Sequence, residues 1–415
     1  MRSDPHRGAL GVDAWRAALG TEQTVRRRPD ATDLLAAPEQ AVGRILADDV
    51  QAPEDVPAMP LAAMDGFAVR RSDLDASGTT RLPVTADLAA QPGQPSPLQH
   101  GSAVRIMTGA PVPAGADAVI EVEATDADPV GPCPHEVTIR LDQLLAPGRH
   151  VRGIGEEVAS GQTMACAGER VTAGLVGLAL QLGLTTLPVL AAPRVGVVVT
   201  GDELAAPGEQ IRAGTVRESN GAMLAAALSC AGAVTRIERC GDDPAALRAL
   251  LEELAEQSDL VLTTGGIGYG AYDVVKAALG PRGTGTSTFE HLALRPGGPQ
   301  GRGHLSGGVP VVHLPGTPVG AYVGFHLFVR PLLDPSAPQI LPAAAPLNSV
   351  APRSRRHGTL VRAARTVPGE HDDQGRPLLE ILPGHRLAPY GRADALLLTD
   401  IGDDGVEHTR MLSLR

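Results

Sequence analysis

Lysine is almost absent from this chain. Of 36 lysine and arginine residues only Lys276 is lysine, and alanine, the 49 glycines and the 36 prolines are abundant. Such a bias reads as composition pressure, so a lysine that persists three residues after Asp273 points to a task arginine cannot do. Aromatic residues make up 2% of the chain. The four cysteines, Cys133, Cys166, Cys230 and Cys240, show no metal-ligand spacing, so free thiols are expected. No apolar run approaches the roughly 20 residues of a membrane-spanning helix. The opening MRSDPHRGALGVDAW lacks the apolar core of a secretory signal, so a cytoplasmic location is expected. Positive charge is also short. A net charge of −11 argues against nonspecific binding to nucleic acid or anionic membrane, and Arg26-Arg27-Arg28 reads as a solvated loop.

What is present is alternation. The 415 residues are too many for one core, so two to four domains are expected. From about 192 to 335, strand-like runs alternate with helical patterns: Val195–Val199, Gly221–Ala231, Thr235–Glu238, Pro244–Gln257, Asp259–Thr264, Val309–His313 and Val319–Phe328. This predicts a parallel sheet with helices on both faces. Residues 46–149 are broken by proline and glycine into short strands such as Ala103–Met107, Ala118–Val122 and Val137–Leu141, which predicts an inserted β-rich domain. Flanking it, 12–45 and 150–191 read as a small linking domain with helices at Val12–Leu19 and Thr172–Leu182 and a helix-to-strand passage at 39–49. The first helix is free to pack on the α/β domain. A proline–alanine linker at 334–346 precedes a C-terminal β domain at 345–415. The fold class is multidomain α/β plus β.

The most informative stretch is Asp259–Lys276, DLVLTTGGIGYGAYDVVK. A buried strand runs into Gly265, Gly266, Gly268 and Gly270, and a helix from Tyr272 to Leu279 follows. Such a loop points backbone N–H groups at an anion, and Asp273 either caps the helix or holds a metal near bound phosphate. The competing reading is an ordinary strand–turn–helix. Two more strand ends of the α/β region carry polar glycine turns, Thr200-Gly201-Asp202-Glu203-Leu204 and Leu314-Pro315-Gly316-Thr317-Pro318. Ligands of such sheets bind beyond the carboxyl ends of the strands, so three such turns favour a phosphate and divalent-metal site. In the β-rich region Asp65, in Met64-Asp65-Gly66, and Thr108, in Met107-Thr108-Gly109, stand at strand ends. A turn carboxylate satisfying its own backbone is the other reading of Asp65.

AMDGFAVR at 63–70, VRIMTGAPVPAGADAV at 104–119, TGDEL at 200–204 and TTGGIGYGAYDVVK at 263–276, with LRPGGP at 294–299 and LPGTPVGA at 314–321, occur in one order along the chain. In that ordered set the chain resembles the molybdopterin molybdenumtransferases, the MoeA proteins and the E domain of gephyrin. The resemblance implies a linking domain around an inserted β domain, a molybdopterin-binding α/β domain and a C-terminal β-barrel-like domain. It implies a reaction of adenylylated molybdopterin with molybdate that yields molybdenum cofactor and AMP, with Mg2+ as cofactor. By motif, Asp65, Glu203 and Asp273 look catalytic, with Glu203 and Asp273 at the metal. Thr108, Gly109, Thr200, Gly201, Asp202, Gly265, Gly266, Gly270, Lys276, Arg295, Pro315, Gly316 and Pro318 look substrate-binding. One of Asp242 and Asp243 matches a further acidic position, and Glu157 stands near another. The resemblance also implies a homodimer with its cleft between chains, and the pathway's molybdopterin adenylyltransferase as a partner.

Some positions depart from the family pattern. Pro60-Leu61-Ala62 replaces a polar Asp-Asn-Ser, and Gly268 and Ala271 replace a serine and an acidic residue. Gly298 and His291 replace lysines, and Thr317 and Gly320 replace asparagine and serine. Two other readings therefore stand beside an active transferase. One is a molybdopterin-binding paralogue or scaffold without turnover, favoured by these losses. The other is an adenylyltransferase sharing only the α/β domain, opposed by the blocks at 63–70 and 104–119.

Overall fold

The computed structural model describes residues 9–75, 78–143, 145–206, 208–268, 270, 273–334, 336–347, 358–401 and 407–414. The chain forms two compact units, one comprising the chain up to Arg28 and again from Ala191 onward, the other Pro29–Leu190.

The first unit is built on a six-stranded sheet in the order Val234–Cys240, Arg194–Thr200, Leu260–Thr264, Pro310–Leu314, Pro299–His304, Ser287–His291. The first four strands are parallel. The last two are antiparallel, an addition that the alternating pattern did not announce. Every residue of Leu260–Thr264 and Pro310–Leu314 is buried, as expected of central strands covered on both faces. Val195, Val197 and Val199 enter one core with Leu224 and Leu228, whereas Val198 enters the other with Leu247, Leu251 and Leu254. Alternate side chains of one strand thus supply both faces. On helix Pro244–Gln257 those leucines recur on one stripe, and the Asp243 carboxylate caps its N-terminus by accepting the N–H groups of Ala245 and Ala246 at 2.8 and 3.4 Å. Helix Val12–Glu22 belongs to this unit. Its Val12, Trp15 and Leu19 are buried in the first core, and the Arg302 guanidinium lies 4.7 Å from the Trp15 ring centre. The C-terminal strands form a second six-stranded sheet, which also takes in Leu294–Arg295, paired in parallel with Thr359 and Leu360.

The second unit carries a five-stranded sheet in the order Ala118–Glu121, Gly66–Val69, Ala103–Ile106, Gly78–Leu88, Glu136–Leu141. Around it lie three two-stranded pairings, among them Leu61–Ala62 with Val151–Arg152, and the helix Ala173–Gln181. Thr172 caps that helix through its hydroxyl oxygen, which accepts Leu175 N–H at 3.1 Å.

Three expectations need correction. Residues 39–49 hold no helix passing into a strand; a 3-10 turn at Pro38–Gln40 gives way to turns and isolated bridges at Ile45 and Leu46, because Gly43 at φ +83° breaks the pattern. The helix expected at Val319–Phe328 starts at Pro318, passes through a π-helical stretch at Phe325–Val329 and ends at Leu333. The helix after the glycine loop spans Val274–Leu279; Tyr272 and Ala271 lie outside the described residues. The four cysteines are free. Among the described residues no helix is long and apolar enough to cross a membrane.

Candidate active site

The three polar strand ends of the α/β sheet meet at one cavity of about 740 Å³. Thr200, Gly201, Glu203, Gly265, Gly266, Gly270, Asp273, Pro315, Gly316 and Pro318 line it, with Asp242, Asn220 and Thr317. Adjacent parallel strands end at one edge, so turns far apart in sequence become neighbours. Their contact is close enough to require glycine. A Cβ at Gly265, where φ is +99°, would lie 2.7 Å from Thr200 Oγ1, and one at Gly316 would lie 3.1 Å from Gly265 Cα. Gly201, at φ +140°, leaves room for the Glu203 carboxylate, which a Cβ there would meet at 2.6 Å.

Asp273 precedes the helix Val274–Leu279 but caps none of its amides. Gly268 and Gly270 lie against its carboxylate, at 3.5 and 3.7 Å from where their Cβ atoms would stand. Its Oδ2 is buried without a hydrogen-bond partner. The glycine loop therefore wraps an unsatisfied carboxylate oxygen, which the ordinary capping turn does not explain. Lys276 stands behind the loop, its ammonium donating to the Gly268 carbonyl and lying 5.8 Å from the Phe289 ring centre. It is absent from the cavity lining, as are Asp202 and Arg295. Asp202 accepts Asp242 N–H at 3.3 Å and so holds the neighbouring turn. Arg295 is exposed at the C-terminal sheet. Of the acidic pair, Asp243 is occupied as a helix cap and Asp242 lines the cavity.

Four carboxylates, Glu203, Glu218, Asp242 and Asp273, face this cavity against one guanidinium, Arg217. Such a lining accepts an anionic phosphate only with a cation between them. Among the described residues no three His, Cys, Asp or Glu side chains converge into a metal centre of their own. Magnesium, however, keeps water ligands and needs only one or two carboxylates beside substrate phosphates. The orphaned Asp273 oxygen and the all-oxygen donor set fit that requirement.

The second unit has a separate cavity of about 260 Å³ lined by Asp65, Thr108, Arg105, Met64, Met107 and Glu123, among others. Asp65 Oδ1 accepts both the amide and the hydroxyl of Thr108, each at 2.7 Å. Those two bonds, aided by the Arg105 charge, hold the carboxyl below the ordinary carboxylate range. A Cβ at Gly66 would fall 1.9 Å from the Ile120 carbonyl oxygen, so only glycine lets the strand after Asp65 enter the sheet. Gly109, at φ +80°, turns the chain so that its N–H reaches the Ala62 carbonyl at 2.8 Å. The stretches Met64–Gly66 and Met107–Gly109 thus form one structure, and Asp65 is held by Thr108 rather than by its own turn.

Three of the positions that depart from the family pattern have a local setting that suits the residue present. Ala62 is fully buried beside Ala68, Val104 and Ile106. A Cβ at Gly298 would lie 2.8 Å from His291 Nε2, so the imidazole fills the space that a side chain at 298 would need. Likewise a Cβ at Gly320 would lie 2.6 Å from Thr317 Oγ1. In both cases the glycine leaves the room that the neighbouring side chain occupies. Sequence reasoning missed Asn220, whose amide bonds Thr264 and Gly316; its Ser-Asn-Gly setting was the available signal, a polar residue opening an alanine-rich helix.

The MoeA N-terminal region (domain I and II) is matched by residues 13–183, and a probable molybdopterin binding domain by residues 196–335. Molybdopterin molybdenumtransferase 2 of Mycobacterium tuberculosis is 44% identical over 387 residues, covering 89% of this chain and 90% of that protein. The molybdopterin molybdenumtransferase of Bacillus subtilis is 31% identical over 361 residues, covering 84% and 83%. The crystal structure of the molybdopterin biosynthesis moeA protein from Pyrococcus horikoshii OT3 matches with a TM-score of 0.75 at 22% identity, over 97% of this chain and 100% of that one, a likeness of fold.

Proposed function

The chain belongs to the molybdopterin molybdenumtransferase family, and from that premise we propose that it inserts molybdate into adenylylated molybdopterin with release of AMP. It is thus a transferase of molybdenum cofactor biosynthesis. The observation that carries the reading is the orphaned Asp273 Oδ2 inside a glycine loop at the mouth of three converging strand ends.

The loop at Gly266–Gly268 offers backbone amides to the phosphates, and Glu203 and Asp273 supply carboxylates for Mg2+. Bound there, the ion would neutralise the phosphates and polarise the pyrophosphate bond that is broken. Thr200, Pro315 and Pro318 shape the floor on which the pterin end lies. Asp65, kept ionised by Thr108, is the catalytic carboxylate of the second unit, and Gly109 sets its turn. Arg295, exposed and outside the cavity lining, supplies positive charge that steers the incoming oxyanion toward it. We assign the finer division of the chain to the four domains expected from sequence. In a homodimer, Asp65 and Thr108 of one chain complete the cavity of the other, and the adenylyltransferase of the pathway supplies the substrate. Two half-equipped cavities, one in each unit, support that arrangement.

The test is AMP release from adenylylated molybdopterin by the full-length protein with magnesium and molybdate. Asp65→Asn and Asp273→Asn are each expected to abolish it. Mixed and reassociated, the two variants are expected to recover roughly a quarter of wild-type activity, because half the dimers then carry one intact cleft. Wild-type protein that binds the substrate but releases no AMP identifies a scaffold and overturns the enzymatic reading; no recovery on mixing overturns the shared cleft.

A further inference from the structure

The two glycine walls of the larger cavity run close together at Gly265 and Gly316, where a Cβ on Gly316 would stand 3.1 Å from Gly265 Cα. Two side chains tie them: Thr264 reaches directly from one wall to the other, and Asn220 braces both from a third element. Asn220 opens the helix Asn220–Cys230, is 7% exposed and lines the cavity. Its Nδ2 donates to Thr264 Oγ1 at 3.0 Å and to the Gly316 carbonyl at 2.8 Å. The Thr264 hydroxyl in turn donates to the Pro315 carbonyl at 2.9 Å, so it is available to Asn220 only as an acceptor. Both partners accept, and this obliges the amide nitrogen to face them. Asn220 Oδ1 is left buried without a partner, a cost to stability that the rest of the fold sustains.

We propose that Asn220 is a positioning residue that fixes the spacing between the Thr264–Gly266 and Pro315–Thr317 walls, and thereby the alignment of the substrate's pyrophosphate against the catalytic carboxylates. This rests on the functional reading given above. The chemistry selects asparagine. Serine is too short to reach two partners, and aspartate has the right shape but presents only acceptors to two acceptors.

The experiment compares full-length wild type, Asn220→Asp and Asn220→Ser in AMP release from adenylylated molybdopterin, with thermal unfolding measured alongside. A cross-brace acts on geometry, so kcat is expected to fall about ten-fold or more while KM stays within about three-fold. A direct substrate contact would instead raise KM, and a purely structural role would move the unfolding midpoint and leave both constants alone. Asn220→Ser is too short to reach both partners and leaves the Thr264–Pro315 bond in place, so it carries the test should Asn220→Asp fail to fold. An active wild type beside folded variants with unchanged kcat, or with only KM raised, overturns this inference alone. A wild type that releases no AMP overturns the functional reading and this inference with it.

Discussion

Replacing Lys276 by methionine separates two roles for the chain's only lysine. The ammonium donates to the Gly268 carbonyl and lies at the outer range of a cation–π contact with Phe289. Methionine keeps an unbranched chain over the ring and deletes the charge. A hydrogen bond from a charged donor contributes about 1.5–3 kcal/mol, and the ring contact at this distance adds little. If that energy serves to order the glycine loop around Asp273, kcat/KM for AMP release falls by a factor of about 10 to 150. Amide exchange at Ile267 and Gly268 then rises in the ligand-free protein, because the loop loses its support. Lys276→Arg retains a charged donor but replaces a compact ammonium with a longer planar fork, so its loss is expected to be smaller, below about ten-fold. A Lys276→Met protein with wild-type kcat/KM refutes the reasoning. So does one whose activity falls while loop exchange stays unchanged, since that pattern belongs to a residue touching substrate directly.

Other consequences follow from single contacts. Gly265→Ala places a Cβ 2.7 Å from Thr200 Oγ1 at a φ of +99°, and is expected to lower the unfolding midpoint of the α/β unit and abolish AMP release. Thr108→Val removes one of the two donors on Asp65, so the Asp65 carboxyl should titrate closer to the ordinary range in a carboxylate NMR titration. His313 is fully buried between Thr263 and Ser287, and burial depresses its pKa from 6.5 to about 3. The unfolded chain therefore takes up a proton that the folded one refuses between those values. Stability is present above pH 6.5 and declines by about 1.4 kcal/mol per pH unit as pH falls toward 3. His313→Gln should flatten that slope; urea unfolding followed by Trp15 fluorescence at pH 7 and pH 5 measures it. His326, depressed to about 3 by burial and the Arg330 charge, contributes a slope that remains in the variant.

Much of the architecture is legible in the chain because local pattern and tertiary role agree. Val195–Val199 and Leu260–Leu262 are apolar runs followed by threonine and glycine, and they lie in buried strands of one sheet. Pro244–Gln257 announces its proline and its apolar stripe, and the structure uses both. The glycine turns beyond strand ends also pointed to the larger cavity, since topology places such turns on one edge. The antiparallel strands at Ser287–His291 and Pro299–His304 were not legible. Short strands containing glycine, charge and histidine have no clear period, and only their pairing partners make them strands.

What the sequence by itself determined is the family, the order of the elements and the residues able to carry chemistry: carboxylates, glycine loops and one lysine. Those follow from residue type and spacing along the chain. Only the tertiary structure decided how each is used. Asp243 became a cap and Asp242 a wall of the cavity; Lys276 went behind the loop, Asp273 kept an unpartnered oxygen, and Asn220 bridged two walls. The physical reason is distance. A hydrogen bond or a steric clash is settled within about 3 Å, and residues such as Gly298 and His291, or Gly66 and Ile120, acquire that proximity only when the chain folds.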